Sequence, residues 1–109
     1  MLLLRRGDEV LLGLKLRGFG QGKWNGFGGK VEPGETIRAA ALREMLEESG
    51  LTVTDAERRA VLRFDMQGDG NRLEVHVFAA SHFTCVETPC DEMQPRWWYV
   101  ACLLVCVHA

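Results

Sequence analysis

The sequence predicts a mixed α+β domain, and three observations carry that expectation. One stretch, Thr36 to Ser49, has both its start and its stop marked for a helix. Several short apolar segments alternate with polar residues around glycine-containing turns. The chain has 109 residues, enough for one domain with an adequate core.

Taken in order, Leu2 to Arg5 and Val10 to Lys15 flank Arg6-Gly7-Asp8, which reads as a hairpin. Residues 18 to 34 hold seven of the twelve glycines. Trp24, Phe27 and Val31 within them imply a strand and a loop whose backbone is approached closely. Thr36 can cap the helix, Ala39-Ala40-Ala41-Leu42 has high helix propensity, and Gly50 suits a left-handed C-cap with Leu51 packing back. Ile37, Ala41 and Met45, spaced by four, are the expected buried stripe.

Beyond the helix, Leu62, Phe64 and Met66 alternate, Gly68-Asp69-Gly70-Asn71 turns the chain, and Leu73, Val75, Val77 and Ala79 alternate again. That pattern is a β-hairpin or meander. Pro89 and Pro95 bracket a loop carrying Asp91 and Glu92, and a last strand is expected from Trp97 to Val100. The strands should be mostly antiparallel or mixed.

Composition excludes several classes. At 47% hydrophobic the chain is too apolar for disorder, and no run approaches the roughly 18 apolar residues of a membrane span. A net charge of -2 gives no long-range attraction to nucleic acid, though local basic groups suit a phosphorylated small molecule. Cys85, Cys90, Cys102 and Cys106 form no CxxC and read as free thiols in a reducing compartment rather than a disulfide framework. Met1 to Arg6 does not read as a signal peptide, so the cytoplasm is the expected location.

Glu44, Glu47 and Glu48 stand at i, i+3 and i+4, which brings their carboxylates within roughly a 100° arc of one helix face. Like charges placed this way repel, and a hard divalent cation such as Mg²⁺ would remove the penalty. Three glutamates alone equally suit a solvated acidic face. The preceding Gly28-Gly29-Lys30-Val31-Glu32-Pro33-Gly34-Glu35 supplies an open loop and sets Glu35 where it can favour the helix dipole or pair with Arg43.

Gly29 through Leu51 fit G-x5-E-x7-R-E-U-x-E-E-x-G-U, U being a bulky aliphatic residue, at Gly29, Glu35, Arg43, Glu44, Met45, Glu47, Glu48, Gly50 and Leu51. Seven single-residue matches arise by chance at about one in a billion starts, taking one in twenty per residue. The segment resembles the Nudix box. The resemblance implies a mixed β-sheet sandwiched by helices, with the box as a loop-helix-loop, and hydrolysis of nucleoside diphosphates linked to another group with Mg²⁺ (Mn²⁺ as an alternative). It further implies that Glu44, Glu47 and Glu48 hold metal, with one of them as base, that Gly28 lends a backbone carbonyl, and that Arg43 and Glu35 form a loop-setting salt bridge.

The likeness extends over about positions 10 to 98. Leu14 to Gly20, Lys23 to Val31, Glu74 to Phe78 and Asp91 to Pro95 look like the branch of the family that hydrolyses oxidised purine nucleoside triphosphates. By that resemblance Lys15 and Asn25 contact the nucleotide, Phe27, Gly28, Gly29 and Lys30 line the site, and Glu92 reaches the metal. Phe19, Phe64, Met66 and Leu73 would form an apolar slot for the base, although alternation alone makes the last three ordinary core. Met66 departs from the aromatic residue common there.

Two further departures concern the ends. The branch has a longer first strand, and after Trp97-Trp98-Tyr99 it continues through a Trp-Pro-Asp-Asp segment, which reads the purine, into a C-terminal helix. Here residues 100 to 109 are instead a divergent apolar tail, read as a strand or as the translated end of a truncated transcript. The expectation is one Nudix domain over 1 to 109, shortened at both ends and without the C-terminal helix. It is expected to be monomeric, with association through uncovered sheet as the alternative. Two readings of function follow: a hydrolase of modified purine nucleoside triphosphates, or a catalytically impaired product that binds metal or a partner. A third is a Nudix enzyme for other nucleoside diphosphate derivatives.

Overall fold

The computed structural model describes residues 1–65, 70 and 72–101. The strands β1 (Leu2–Arg6) and β2 (Glu9–Lys15) form the expected hairpin, with Leu4 opposite Leu11 and Gly7 at φ 58° in the turn. Only Trp24–Asn25 of the glycine-rich region is strand, β3, pairing with Gly13 and Leu14. Phe27 adds a single bridge to Leu2, its N–H and C=O both bonded there.

The helix α1 (Ile37–Ser49) begins where its cap predicts: the Thr36 hydroxyl accepts the Ala39 N–H at 3.0 Å. It stops at Gly50, φ 78°, whose N–H reaches the Leu46 carbonyl, and Leu51 is fully buried behind it. The buried face differs from the expected stripe. Ala40, Ala41, Met45, Glu48 and Ser49 face inward, while Ile37 is 40% exposed. Spacing by four fixed a stripe but not its tilt, and the helix turns its first residue toward a cavity rather than the sheet.

A two-stranded sheet joins β4 (Thr52–Val53) to β7 (Phe83–Thr84). Between them run β5 (Glu57–Asp65) and β6 (Arg72–Ala80), an antiparallel pair with Phe64 opposite Leu73 and Leu62 opposite Val75. Met66 and the turn residues Gly68, Asp69 and Asn71 lie outside the described residues, as does the tail from Cys102 to Ala109. The final strand, β8 (Met93–Tyr99), starts four residues earlier than expected and contains Pro95. Among the described residues it pairs only with β2, so it is an edge strand, where a missing N–H is tolerated.

The main sheet runs β3-β2-β1-β6-β5, with β8 also on β2, and the parallel β1–β6 pairing makes it mixed. Leu2, Leu4, Leu11, Phe27, Met45, Leu51, Phe78 and Met93 form the core between α1 and one sheet face. Leu62, Phe64 and Leu73 share the other face and are 43 to 49% exposed. Within the described residues nothing covers them. Cys85 and Cys90 are free, as expected, and no helix is long and apolar enough to cross a membrane among these residues.

Candidate active site

Arg43 is the hub of the site. Its Nε and Nη2 grip Glu35 at 2.8 and 3.1 Å, Nη2 also donates to the Lys30 carbonyl at 3.1 Å, and Nη1 reaches Glu44 at 2.8 Å and Glu47 at 3.3 Å. The planar fork suits this, since one guanidinium donates in several directions at fixed angles. It ties the loop before α1 to the middle of the helix. The same contacts hold the Glu35 carboxyl below its usual range, Arg43 hydrogen bonding first, and raise Arg43 in return. Glu35 also accepts the Glu32 N–H at 3.0 Å, which closes the turn.

Gly29 must be glycine for Glu44 to sit where it does: a Cβ there would stand 2.5 Å from the Glu44 carboxyl carbon. The Gly28 N–H donates to Glu48 Oε1 at 3.0 Å. Glu48 is only 6% exposed, and burial pushes its carboxyl up to about 7, with Glu44 and Glu92 adding to the rise. Gly28 and Lys15 pull the other way. Glu92, in the loop before β8, is held by Lys15 at 3.7 Å and Arg17 at 3.3 Å.

A cavity of about 410 Å³ opens beside this loop, lined by Asn25, Gly28, Gly29, Leu73 and the first half of α1. That size falls in the usual range for small-molecule pockets. Of the expected lining residues, Lys30 is exposed and meets Arg43 through its carbonyl, while the Phe27 side chain is wholly buried in the core. Phe19 is fully exposed and Phe64 half-exposed, and neither borders the cavity; Leu73 borders it, but its side chain shares the opposite sheet face with Phe64, so the expected apolar slot is not formed there. Phe19 follows Gly18, at φ 76°, in a turn that carries it off the sheet, and Phe64 lies on β5, one strand farther out. Met66 lies outside the described residues. Ile37, Ala40, Glu74 and His76 border the cavity and were not among the expected site residues. The alternation on β6 drew attention to its odd-numbered residues, and only the placement of α1 brings the even ones to a pocket.

Among the described residues, no three His, Cys, Asp or Glu side chains gather tightly enough to cage an ion. Glu44 and Glu47 lean on Arg43, and the acidic set is a neighbourhood rather than a cage. Its chemistry nonetheless fits a hard divalent cation. The donors are carboxylate oxygens, and Glu48, raised first by burial and further by Glu44 and Glu92, would have its ionised form favoured by a cation.

A mixed sheet carrying one capped helix, with an arginine-clamped glutamate set at its loop, defines the class: the NUDIX domain profile matches residues 1–99, and the chain belongs to that family. Among curated proteins it is 48% identical over 98 residues to the oxidized purine nucleoside triphosphate hydrolase of Danio rerio. It is 46% identical over 98 residues to the protein of that name from Mus musculus. Each alignment takes in 90% of this chain and 63% of the relative, so the chain spans under two thirds of their length. Among solved structures, a MutT protein from Bacillus halodurans superposes with a TM-score of 0.83 at 27% identity, covering 95% of this chain and 69% of that one.

Proposed function

We propose that this chain hydrolyses oxidised purine (deoxy)nucleoside triphosphates, such as 8-oxo-dGTP and 2-oxo-dATP, to the monophosphate and pyrophosphate. The observation that carries this reading is the arrangement of Glu48, Glu44 and Glu92 against the Gly28-Gly29 loop at the edge of the Asn25-lined cavity. The names of the vertebrate relatives give the substrate class.

Glu44, Glu47, Glu48 and Glu92, with the Gly28 carbonyl, would hold Mg²⁺ or Mn²⁺. The ion, when bound, supplies neutralising charge for the phosphate oxygens and Lewis acidity toward water. Arg43 keeps Glu35 and Glu44 in place and so fixes the loop. Glu48 titrates near neutrality and suits proton transfer from the attacking water. Lys15, beside Glu92, brings positive charge toward the triphosphate. Asn25 offers an amide to the purine. The activity would clear damaged nucleotides from the cytoplasmic pool, and from mitochondrial or nuclear pools by resemblance.

Pyrophosphate release from 8-oxo-dGTP, 2-oxo-dATP and dGTP with Mg²⁺ tests this. Turnover should favour the oxidised purines, and Glu48→Gln should lower it at least about 100-fold while circular dichroism stays unchanged. Retained turnover in Glu48→Gln would count against the assignment.

The exposed Leu62, Phe64 and Leu73 favour a second reading, a product that binds metal or a partner through its open sheet without turnover. Failure to melt cooperatively, with or without Mg²⁺ and nucleotide, would support it. A ligand-stabilised melt with turnover supports the enzyme.

A further inference from the structure

We propose that Arg17 is a specificity-determining residue for the polyphosphate, its guanidinium resting on Glu92 in the free chain and passing to the distal phosphates when Glu92 turns to the metal. This rests on the reading of the chain as a hydrolase of nucleoside triphosphates and adds what grips the departing pyrophosphate.

The order of side chains along β2 places Arg17. Gly13 stands opposite Asn25, which borders the cavity. Lys15, two residues on, stands opposite the core residue Met93, so it shares the sheet face that α1 covers. The Leu16 N–H donates to the Glu92 carbonyl at 2.8 Å, which lays the Glu92 loop along the end of the strand. Arg17 Nη2 reaches Glu92 Oε1 at 3.3 Å and Lys15 Nζ reaches Oε2 at 3.7 Å, so two cations share one carboxylate. Lys15 and Glu92 both act on the Glu48 carboxyl, which sets this group beside the glutamates of α1. Asn25, Lys15 and Arg17 thus lead outward from the cavity in the order of base, near phosphate and distal phosphate.

Charge and exposure decide which partner holds Arg17. Its side chain is 63% exposed and that of Glu92 48%, and an exposed ion pair contributes little, so it exchanges readily. It is the only ion pair of Arg17 among the described residues. A phosphate group offers more charge than a carboxylate and paired oxygens that a guanidinium grips together. A carboxylate, in turn, is the donor that a hard cation takes. Both halves of the bridge therefore gain a better partner when metal and triphosphate arrive together. A nucleoside monophosphate has no distal phosphate and leaves Arg17 where it is.

Two measurements test this. In Arg17→Gln, kcat/KM for 8-oxo-dGTP should fall about tenfold and recover in part in Arg17→Lys, while inhibition by the product 8-oxo-dGMP stays unchanged. Unchanged turnover, or an equal loss of 8-oxo-dGMP inhibition, overturns the inference. Calorimetry then follows inorganic tripolyphosphate binding to the metal-free native chain, Arg17→Gln, Glu92→Gln and the double variant. Arg17→Gln should weaken binding about tenfold, and Glu92→Gln should tighten it, with most of that gain lost once Arg17 is also replaced. Native affinity in Arg17→Gln overturns the contact, and an equal gain from Glu92→Gln in both backgrounds overturns the exchange. If the native chain does not turn over 8-oxo-dGTP, the hydrolase reading fails, while the tripolyphosphate cycle still decides the role of Arg17.

Discussion

At Glu48 the helix turns a carboxylate into the interior, where the Gly28 N–H meets one oxygen and Glu44 and Glu92 stand nearby. The folded state binds the Glu48 proton more tightly than the unfolded chain, whose carboxyl keeps its ordinary value near 4.5. The stability contributed by the protonated group is then fully present below about 4.5 and lost as pH rises through about 7. Metal-free protein should melt at a lower temperature at pH 8 than at pH 5, and Glu48→Gln should flatten that part of the profile. Calorimetric melts across this window check it, and an identical slope in the variant would refute it. Glu35, Asp55 and Glu74 have the opposite sign. Each is held low by its partners, so the stability they add is present above their ordinary values and lost as pH falls further. The Arg43–Glu35 pairing was legible in the sequence because eight positions separate the residues and one guanidinium can span a loop and two helical turns. The Glu48 environment was not, because burial depends on the strand and loop packed above it.

The loop and helix of the box work as one element. Thr36→Ala removes the acceptor of the Ala39 N–H and should cost about 1 kcal/mol in denaturant unfolding, with turnover per folded molecule little changed. Gly29→Ala acts differently. The added methyl crowds the Glu44 carboxyl, so the Mg²⁺ concentration for half-maximal turnover should rise about tenfold while the melting temperature moves little. If Mg²⁺ dependence is unchanged, Glu44 is not where the metal is held. The caps at Thr36 and Gly50 were readable because their chemistry is local, set by side chains within four residues. The tilt that exposes Ile37 and buries Ala40 was not, since a periodic pattern says how many residues face inward but not what they meet. The early start of β8 was hidden by Pro95, which only a strand free on one edge can accept.

At the scale of the sheet, α1 covers one face, and among the described residues Leu62, Phe64 and Leu73 on β5 and β6 stand open on the other. Met45 is fully buried among the core residues, so Met45→Ala should cost about 2–5 kcal/mol, measured by urea unfolding. On the open face, Leu62→Lys with Phe64→Lys should suppress concentration-dependent association in sedimentation velocity while leaving the unfolding midpoint nearly unchanged. A fall of several kcal/mol in the double variant would mean that this face is packed in solution.

The sequence by itself determined the α+β class, the capped helix, the first hairpin and the spacing of the glutamate set, because each follows from contacts within a turn or two of chain. Only the tertiary structure decided that Phe27 is core, that Phe19 stands clear of the cavity, and that Glu48 and His76 are enclosed. Those outcomes depend on the parallel pairing of β1 with β6 and on where α1 lies across them, contacts between residues more than thirty positions apart that local periodicity does not encode.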